Sequence, residues 1–370
     1  MSVKIDSTSN ALSERGVERN KKLEAYFRQV LAIHHKKWAD SIVFDYTSLE
    51  RYCASAEAIR HRLINEGLGG WPERPVGIKA KEEYLGELEP GSLYRVEVEI
   101  LPDVIMPALL LVPGNAKKRP ASAIICQHGF GGSPEWVMGF GTPREMNYMN
   151  SCGHRLASAG YVVLAPHIVC SPPGIDRDRV RFDRLARLAG NSLLGFEMFE
   201  ISRMVDYLQT RPEVVPNRIG MYGISQGGLS TLFAAACEPR IRAAVCSCYF
   251  NNRWRKMLEG EWLAERGREE SQQYGDYMST GEDDKFNPWS APLWPDHVLS
   301  GLICPRPFMV ETGRYDPVIY WRDAVEEFKK VQEGYRKLGI EERAALSLNE
   351  RGWHEIFYDD AKRFLDKWLM

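Results

Sequence analysis

Short, nearly all-apolar runs recur through the last two thirds of the chain, separated by stretches of helical length. The runs are residues 121–126, 161–165, 218–224, 243–248, 307–311 and 344–348. Such runs are typical of strands buried on both faces of a parallel sheet. Between them, residues 197–208, 325–338 and 361–369 carry apolar side chains at helical spacing. The alternation predicts an α/β fold with one doubly wound, mostly parallel sheet, whose sites lie at the carboxyl ends of its strands.

The chain before this alternation shows two other patterns. Residues 93–100 alternate between apolar and polar, and residues 108–112 supply an antiparallel partner at the edge of the sheet. Earlier still, apolar residues from Leu23 to Leu31 recur at helical spacing, and Thr47 with Glu50 forms a capping box that would begin a second helix. We therefore predict a helical N-terminal segment over residues 1–76 and an α/β domain over residues 77–370.

Composition and charge exclude several classes of partner. The 370 residues include 48 Lys and Arg against 50 Asp and Glu, a net charge of −2 that gives no general attraction for nucleic acid or for an anionic membrane. No apolar segment reaches the roughly 18 residues of a membrane-spanning helix, and the N-terminus lacks the apolar region of a secretory signal. The eight cysteines form no CxxC pair and no zinc spacing. We expect a cytoplasmic protein with free thiols that acts on a small molecule.

The candidate nucleophile is Ser225, in the sequence Gly-Ile-Ser-Gln-Gly-Gly at residues 223–228. This sequence follows a predicted strand directly and precedes a helix of small residues. A serine on such a sharp turn needs very small neighbours two positions before and after it, and Gly223 and Gly227 meet that need. The N-terminus of the following helix would also favour negative charge on the reacting oxygen.

A serine hydroxyl needs a base and an orienting carboxylate before it reacts as a nucleophile. His354 lies on the loop after the last predicted strand, and Asp316 lies on the loop after the strand before it. Glu311 is a rival for the role of the carboxylate, but it still falls within that strand. The order Ser, Asp, His along the chain is the one found in α/β-hydrolases.

A tetrahedral intermediate also needs hydrogen-bond donors for its oxyanion. The strand at 121–127 ends in His-Gly-Phe-Gly-Gly, which places the backbone amide of Phe130 opposite the turn of the nucleophile. We pair it with the backbone amide of Gln226, with Gly131 as the reserve choice for the first donor.

From about Arg95 to Met370 the chain resembles the α/β-hydrolase superfamily, and within it the dienelactone-hydrolase and acetyl-xylan-esterase-like esterases. The sequences that show this are those at residues 128–132, 210–214, 223–228 and 305–307. The resemblance implies a catalytic triad of Ser225, Asp316 and His354, with no metal and no organic cofactor. Dienelactone hydrolases proper use a cysteine nucleophile, so Ser225 favours ordinary ester chemistry.

Residues 251–298 interrupt the strand and helix alternation and predict a cap-like insertion. Four tryptophans lie in it, of which Trp254 is a candidate for the substrate pocket. They would form either an aromatic wall for substrate or a packing surface for the N-terminal helices. Further pocket candidates lie after the oxyanion segment and after the strand at 161–165: Trp136, Met138, Phe140 and His167.

These predictions together indicate a serine esterase that forms an acyl-enzyme. Two alternatives use the same fold: a hydrolase of carbon–carbon bonds in β-diketone-type substrates, and a non-catalytic receptor for a small molecule. The apolar stripes of the N-terminal helices also offer a contact through which the chain could form a homo-oligomer.

Overall fold

The structure is a computed structural model, and it describes residues 9–142, 148–169, 179–253 and 294–370. The chain divides into two compact units, one ending at Phe44 and the other beginning at Asp45. The first unit contains helix α1, Ser9–Ser41. Apolar side chains of α1 such as Leu23, Phe27 and Ile33 are exposed. The predicted oligomer contact through this helix stays a prediction.

Helix α2, Leu49–Arg62, begins one residue later than the sequence predicts. Its N-cap is Ser48, whose hydroxyl accepts a hydrogen bond from the amide of Arg51 at 3.2 Å. The predicted capping residue, Thr47, instead donates its hydroxyl to Asp45 at 2.5 Å. The capping box at Thr47 was therefore wrong, because the neighbouring serine performs the same role. A single π-helical turn, Leu63–Gly67, follows α2.

Nine strands of the described chain form one sheet. They are β1 Lys79–Leu88, β2 Gly91–Leu101, β3 Val104–Pro113, β4 Ala121–Gln127, β5 Val162–Pro166, β6 Val214–Ile224, β7 Ile241–Ser247, β8 Phe308–Gly313 and β9 Ala344–Asn349. Their order in the sheet is β1-β2-β3-β5-β4-β6-β7-β8-β9. In this order, the six strands β5, β4, β6, β7, β8 and β9 pair in parallel. Strands β1, β2 and β3 form an antiparallel edge. The predicted α/β architecture is confirmed.

Among the nine described strands, β1 is the one that the pattern of apolar residues does not predict. Its side chains are mostly exposed, and charged residues form pairs with β2, as Lys79 does with Glu99 at 2.9 Å. An edge strand that buries neither face needs no apolar alternation, and charges on it discourage pairing with other chains.

The remaining described helices flank the sheet. They are α3 Pro134–Val137, α4 Cys152–Ser158, α5 Arg179–Leu188, α6 Leu193–Thr210, α7 Gln226–Cys237, α8 Asp296–Ile303, α9 Trp321–Lys337 and α10 Asp359–Leu369. None of the helices in the described ranges is long and apolar enough to span a bilayer. Every residue of α7 is buried, which explains its small side chains.

Most of the predicted insertion at residues 251–298 lies outside the described residues, including Trp254, Trp262 and Trp289. Its final residues enter α8. Trp294 is buried, and a Cβ atom placed on Gly67 would lie only 2.9 Å from the indole nitrogen of Trp294. For this tryptophan the structure favours the packing role over the substrate wall.

Two buried arginines bind the carboxyl end of α7. Arg306 donates to the carbonyl oxygens of Ala235 and Ile241 at 2.6 Å each, and to that of Glu238 at 3.1 Å. Arg60, on α2, donates to the carbonyl of Ala236 at 2.7 Å. Carbonyls at the end of a helix have no partner within the helix and carry partial negative charge. Burial, with the neighbouring charge of Arg60, lowers the pKa of Arg306 to about 10.

We predict that Arg306→Met destabilises the protein by about 3 kcal/mol, because it leaves several buried carbonyls without a donor. The free energy of unfolding in urea, followed by tryptophan fluorescence, measures this loss. The control is Arg336→Met on α9, where the arginine side chain is 67% exposed and we expect a change within about 0.5 kcal/mol. Equal losses in the two variants would contradict the capping role.

Candidate active site

Ser225 lies on a strained turn between β6 and α7. Its backbone angles are φ 56° and ψ −119°, values that are unfavourable for a residue with a side chain. The turn is held by a hydrogen bond from the Ser225 amide to the carbonyl of Ser247 at 2.9 Å. The serine therefore stands at the carboxyl edge of the sheet and at the N-terminus of a helix, as the sequence predicts.

Glycine is required on both sides of Ser225 because other backbone segments of the protein approach these positions closely. A Cβ atom on Gly223 would lie 2.3 Å from the carbonyl oxygen of Gly227, and one on Gly227 would lie 2.3 Å from that of Gln127. Neither approach is tolerable for a real side chain. The second contact also brings the end of β4 against the first turn of α7, so the glycine-rich loop after β4 borders the serine.

Asp316 and His354 are directly paired. His354 Nδ1 lies 2.9 Å from each carboxylate oxygen of Asp316. The Asp316 side chain is fully buried, and its Oδ1 also accepts from the amides of Val318 and Ile319 at 2.7 and 3.1 Å. A carboxylate that accepts from Nδ1–H fixes the tautomer of the imidazole and leaves Nε2 as the basic nitrogen.

Glu311, the rival carboxylate, faces other partners. It is buried within β8, where it accepts from the hydroxyl of Tyr222 at 2.5 Å and from the amide of Phe357 at 3.4 Å. Burial raises the pKa of Glu311 to about 7. Of the two candidate acids, only Asp316 is hydrogen-bonded to His354.

The loop after β4 carries the predicted oxyanion donor. His128 is buried, and its Nδ1 lies 2.9 Å from the carbonyl of Gly129. Burial lowers the pKa of His128 to about 4, so the neutral ring donates Nδ1–H to that carbonyl. The Gly132 amide then donates back to the Gly129 carbonyl at 3.1 Å. This tight turn presents Phe130 at its tip, with a side chain 38% exposed.

The pocket candidates near this loop have different environments. Trp136 is partly buried against the main hydrophobic core, and Met138 lies fully within that core. Phe140 is exposed. His167 is also exposed at the end of β5, with its ring edge-on to that of His128 at 5.5 Å between centroids. The structure thus brings His167 to the glycine-rich loop and gives Met138 a packing position.

Two residues near the Asp–His pair have no signal in the sequence. Tyr148 stacks on the imidazole of His354, with ring centroids 5.8 Å apart. Cys248, the residue after β7, has a φ of 50° and forms with Asp316 and His354 a group whose donor atoms lie within 4.8 Å of one another. Both positions result from tertiary packing, which no local pattern reveals.

The cysteine, carboxylate and histidine of this group are donor types that bind zinc. A thiol must lose its proton to become a good ligand, and burial raises the pKa of Cys248 well above its ordinary value. The cluster therefore fits a hydrogen-bonded Asp–His pair with a neutral thiol beside it better than it fits a metal site.

The strand order, with its antiparallel first strands and the parallel strands that follow, is that of the α/β-hydrolase fold. A model of the dienelactone hydrolase family matches residues 107–259, a range that contains Ser225. The predicted resemblance is confirmed over this range. A lactone is a cyclic ester, so the matching family is one of ester hydrolases, in agreement with the predicted carboxylic ester hydrolase.

Similar proteins extend over more of the chain. A protein of Bacillus subtilis that is named as a hydrolase, YtaP, is 23% identical over 84% of this chain and 99% of its own. A glucuronoyl esterase from Solibacter usitatus superposes with a TM-score of 0.60 at 14% identity, covering 86% of this chain and 93% of that one. Acetyl xylan esterase 1 from Thermoanaerobacterium sp. gives a TM-score of 0.56 at 18% identity, covering 85% and 94%.

We predict that Asp316→Asn lowers kcat by on the order of a thousandfold or more, whereas Glu311→Gln leaves it within about threefold. The reason is that only the Asp316 carboxylate holds the imidazole of His354. Steady-state hydrolysis of a nitrophenyl ester measures both effects. A severe loss in Glu311→Gln with an intact fold would reverse the assignment.

Glu311 also predicts a dependence of stability on pH. Its pKa rises from 4.5 to about 7 on folding, so the folded state keeps the proton that the unfolded chain loses in this interval. The contribution of Glu311 to stability is therefore complete below pH 4.5 and is lost as the pH rises to about 7. Urea titrations across this interval should show a smaller decrease in Glu311→Gln than in the wild type, and identical slopes would contradict the assignment.

Proposed function

We propose that this protein hydrolyses carboxylic esters through an acyl-enzyme formed on Ser225. The observation that supports this most directly is the Asp316–His354 pair, with both carboxylate oxygens 2.9 Å from Nδ1, on the loops that follow β8 and β9. Ser225 stands at the same edge of the sheet, on a turn whose strain serves no purpose in packing alone. A base, its orienting acid and a nucleophile are the parts that acyl transfer needs.

The reaction proceeds in two halves. Ser225 Oγ attacks the ester carbonyl while Nε2 of His354 takes its proton, and the same proton passes to the alcohol as the carbon–oxygen bond breaks. Water then attacks the acyl-enzyme with His354 again as base, which releases the acid and restores the serine. Asp316 stabilises the imidazolium in both halves.

The oxyanion is held by the backbone amides of Phe130 and Gln226. The support for this pair is the contact between the two segments, since Gly227 lies against the carbonyl of Gln127. Gln226 is the first residue of α7, where the amides have no partner within the helix and the helix dipole favours negative charge. Developing charge on the carbonyl oxygen is then stabilised from two sides.

We predict that Ser225→Ala lowers the turnover of nitrophenyl acetate by on the order of a thousandfold or more and abolishes labelling by a fluorophosphonate. The matched control is Ser230→Ala, which removes a buried serine of the same helix whose hydroxyl donates to the carbonyl of Gln226 at 3.0 Å. This control should retain labelling and turnover. Full activity of Ser225→Ala would end the proposal.

The same experiment separates the alternatives. A receptor on this fold would react with the fluorophosphonate but would not turn over any ester. A carbon–carbon hydrolase would release an acid and a ketone from a β-diketone faster than it cleaves esters. Product analysis with both substrates therefore tests the bond that is cleaved.

Sugar esters are the substrates that we propose first. The structural neighbours include proteins named for acetyl xylan and glucuronoyl esters. In this chain, Tyr315 and Trp353 immediately precede the acid and the base, and their exposed rings stack with centroids 6.5 Å apart. Exposed aromatic faces beside a reactive pair mark a binding surface, and the flat C–H face of a sugar ring packs well on such a surface.

We predict that Trp353→Ala raises KM for an acetylated xylo-oligosaccharide or a methyl glucuronate by about tenfold, with kcat changed less than about threefold. Nitrophenyl acetate has no sugar ring to pack on the stacked pair, so its KM should stay within about twofold. Tyr84→Ala, which removes an exposed ring on β1, is the control. An equal rise in KM for both kinds of substrate would exclude a sugar-binding role.

A further inference from the structure

Tyr148 contacts two parts of the site that lie far apart in the sequence. Its ring stacks on the imidazole of His354 at an interplanar angle of 27°. Its hydroxyl packs against Gly129 in the glycine-rich loop, so closely that a Cβ atom on Gly129 would lie 1.4 Å from that oxygen. One side chain therefore contacts both the base and the segment that carries the proposed oxyanion donor.

The backbone around Tyr148 is tied to the loop of the histidine. The amide of Ile356, two residues after His354, donates to the carbonyl of Tyr148 at 3.1 Å. The side-chain amide of Asn150 donates to the carbonyl of Ile356 at 3.0 Å. Two hydrogen bonds thus connect the segment of Tyr148 with the loop of His354, and they fix the distance between the tyrosine ring and the imidazole.

The segment that follows Tyr148 has an unfavourable backbone conformation. Asn150 and Ser151 have φ values of 50° and 45°, two successive residues in the left-handed region where non-glycine residues are uncommon. Such strain persists only where the surroundings hold it, and it is concentrated at functional sites. Here the result is that the chain turns sharply between Tyr148 and α4 and directs the tyrosine into the site.

The hydroxyl fills the place where a side chain at residue 129 would begin. The same Cβ position is 3.2 Å from the carbonyl oxygen of Ile224, the residue before Ser225. The tyrosine oxygen is therefore near the end of β6 as well as the loop after β4. The tyrosine oxygen blocks a shift of Gly129 and its loop towards Tyr148. The tyrosine ring blocks a rotation of the His354 imidazole towards Tyr148.

We propose that Tyr148 is a positioning residue of this site, which sets the orientation of His354 and the position of the oxyanion loop together. The inference rests on the proposed function, since both groups act only if the site performs acyl transfer. Its ring acts on the base, and its hydroxyl acts on the loop through contact with Gly129. A displacement of about 1 Å at either group is enough to slow such a reaction by on the order of a hundredfold.

Single substitutions separate the two contacts. Tyr148→Leu removes the ring and should lower kcat for nitrophenyl acetate by on the order of tenfold or more, with KM changed less than about twofold. Tyr148→Phe keeps the ring but removes the oxygen that contacts Gly129, so it should lower kcat by about threefold, less than Tyr148→Leu does. Tyr84→Leu and Tyr84→Phe, at an exposed tyrosine of β1, are the matched controls.

A double substitution tests the contact with Gly129. Gly129→Ala places a methyl group on the tyrosine oxygen and should lower kcat by on the order of tenfold or more. In Gly129→Ala/Tyr148→Phe that oxygen is gone, so a substantial part of the lost kcat should return. If the two residues were not in contact, each change would instead add its own loss.

The outcomes are distinguishable from a failure of the proposed function, which would appear as absent ester turnover in the wild type. With an active wild type, an unchanged kcat in Tyr148→Leu overturns the role of the ring. Absence of rescue in the double variant overturns the role of the hydroxyl contact. If Tyr148→Leu does not fold, the rescue experiment alone still decides, since neither of its substitutions removes the ring.

Discussion

The close approach of three strands to the first turn of α7 is the constraint on which this structure depends. Ser225 can stand in its strained conformation only because β4 and β7 press against the turn on both sides, the latter through the carbonyl of Ser247. Glycine at 223, 227 and 228 is the condition for that approach. The strain in the turn at the proposed nucleophile is thus maintained by the packing of the sheet.

The sequence predicts the parallel sheet, and the place of the proposed catalytic residues on it, because both depend on local pattern. Runs buried on both faces must be apolar, and the residues that follow them fall at one edge of the sheet by topology alone. This reasoning is enough to select Ser225, Asp316 and His354. It fails for β1, which buries too few side chains to leave an apolar pattern. It also fails for Tyr148, whose position depends on a strained turn and on hydrogen bonds to a loop 206 residues away in the sequence.

The two acidic residues of β8 and its loop illustrate how position decides chemistry. Glu311 and Asp316 are five residues apart, and both are buried. Glu311 points into the sheet towards a phenol, where burial favours its neutral form. Asp316 is surrounded by two amides and an imidazole, all of which donate to its oxygens. Sequence spacing distinguishes a residue within a strand from one beyond it, and that distinction separates the two environments.

The capping of α7 by Arg60 and Arg306 has a consequence for the order in which the molecule is built. During synthesis α7 leaves the ribosome after α2 but about 70 residues before Arg306. Until Arg306 has been synthesised, the carbonyls that it binds at the end of α7 have no donor from it. Domains form as cooperative units, and distant contacts are costly to close early. The helix that presents the proposed nucleophile therefore has only one of its two capping arginines until synthesis passes residue 306, and in a shorter chain its carboxyl end stays incompletely capped.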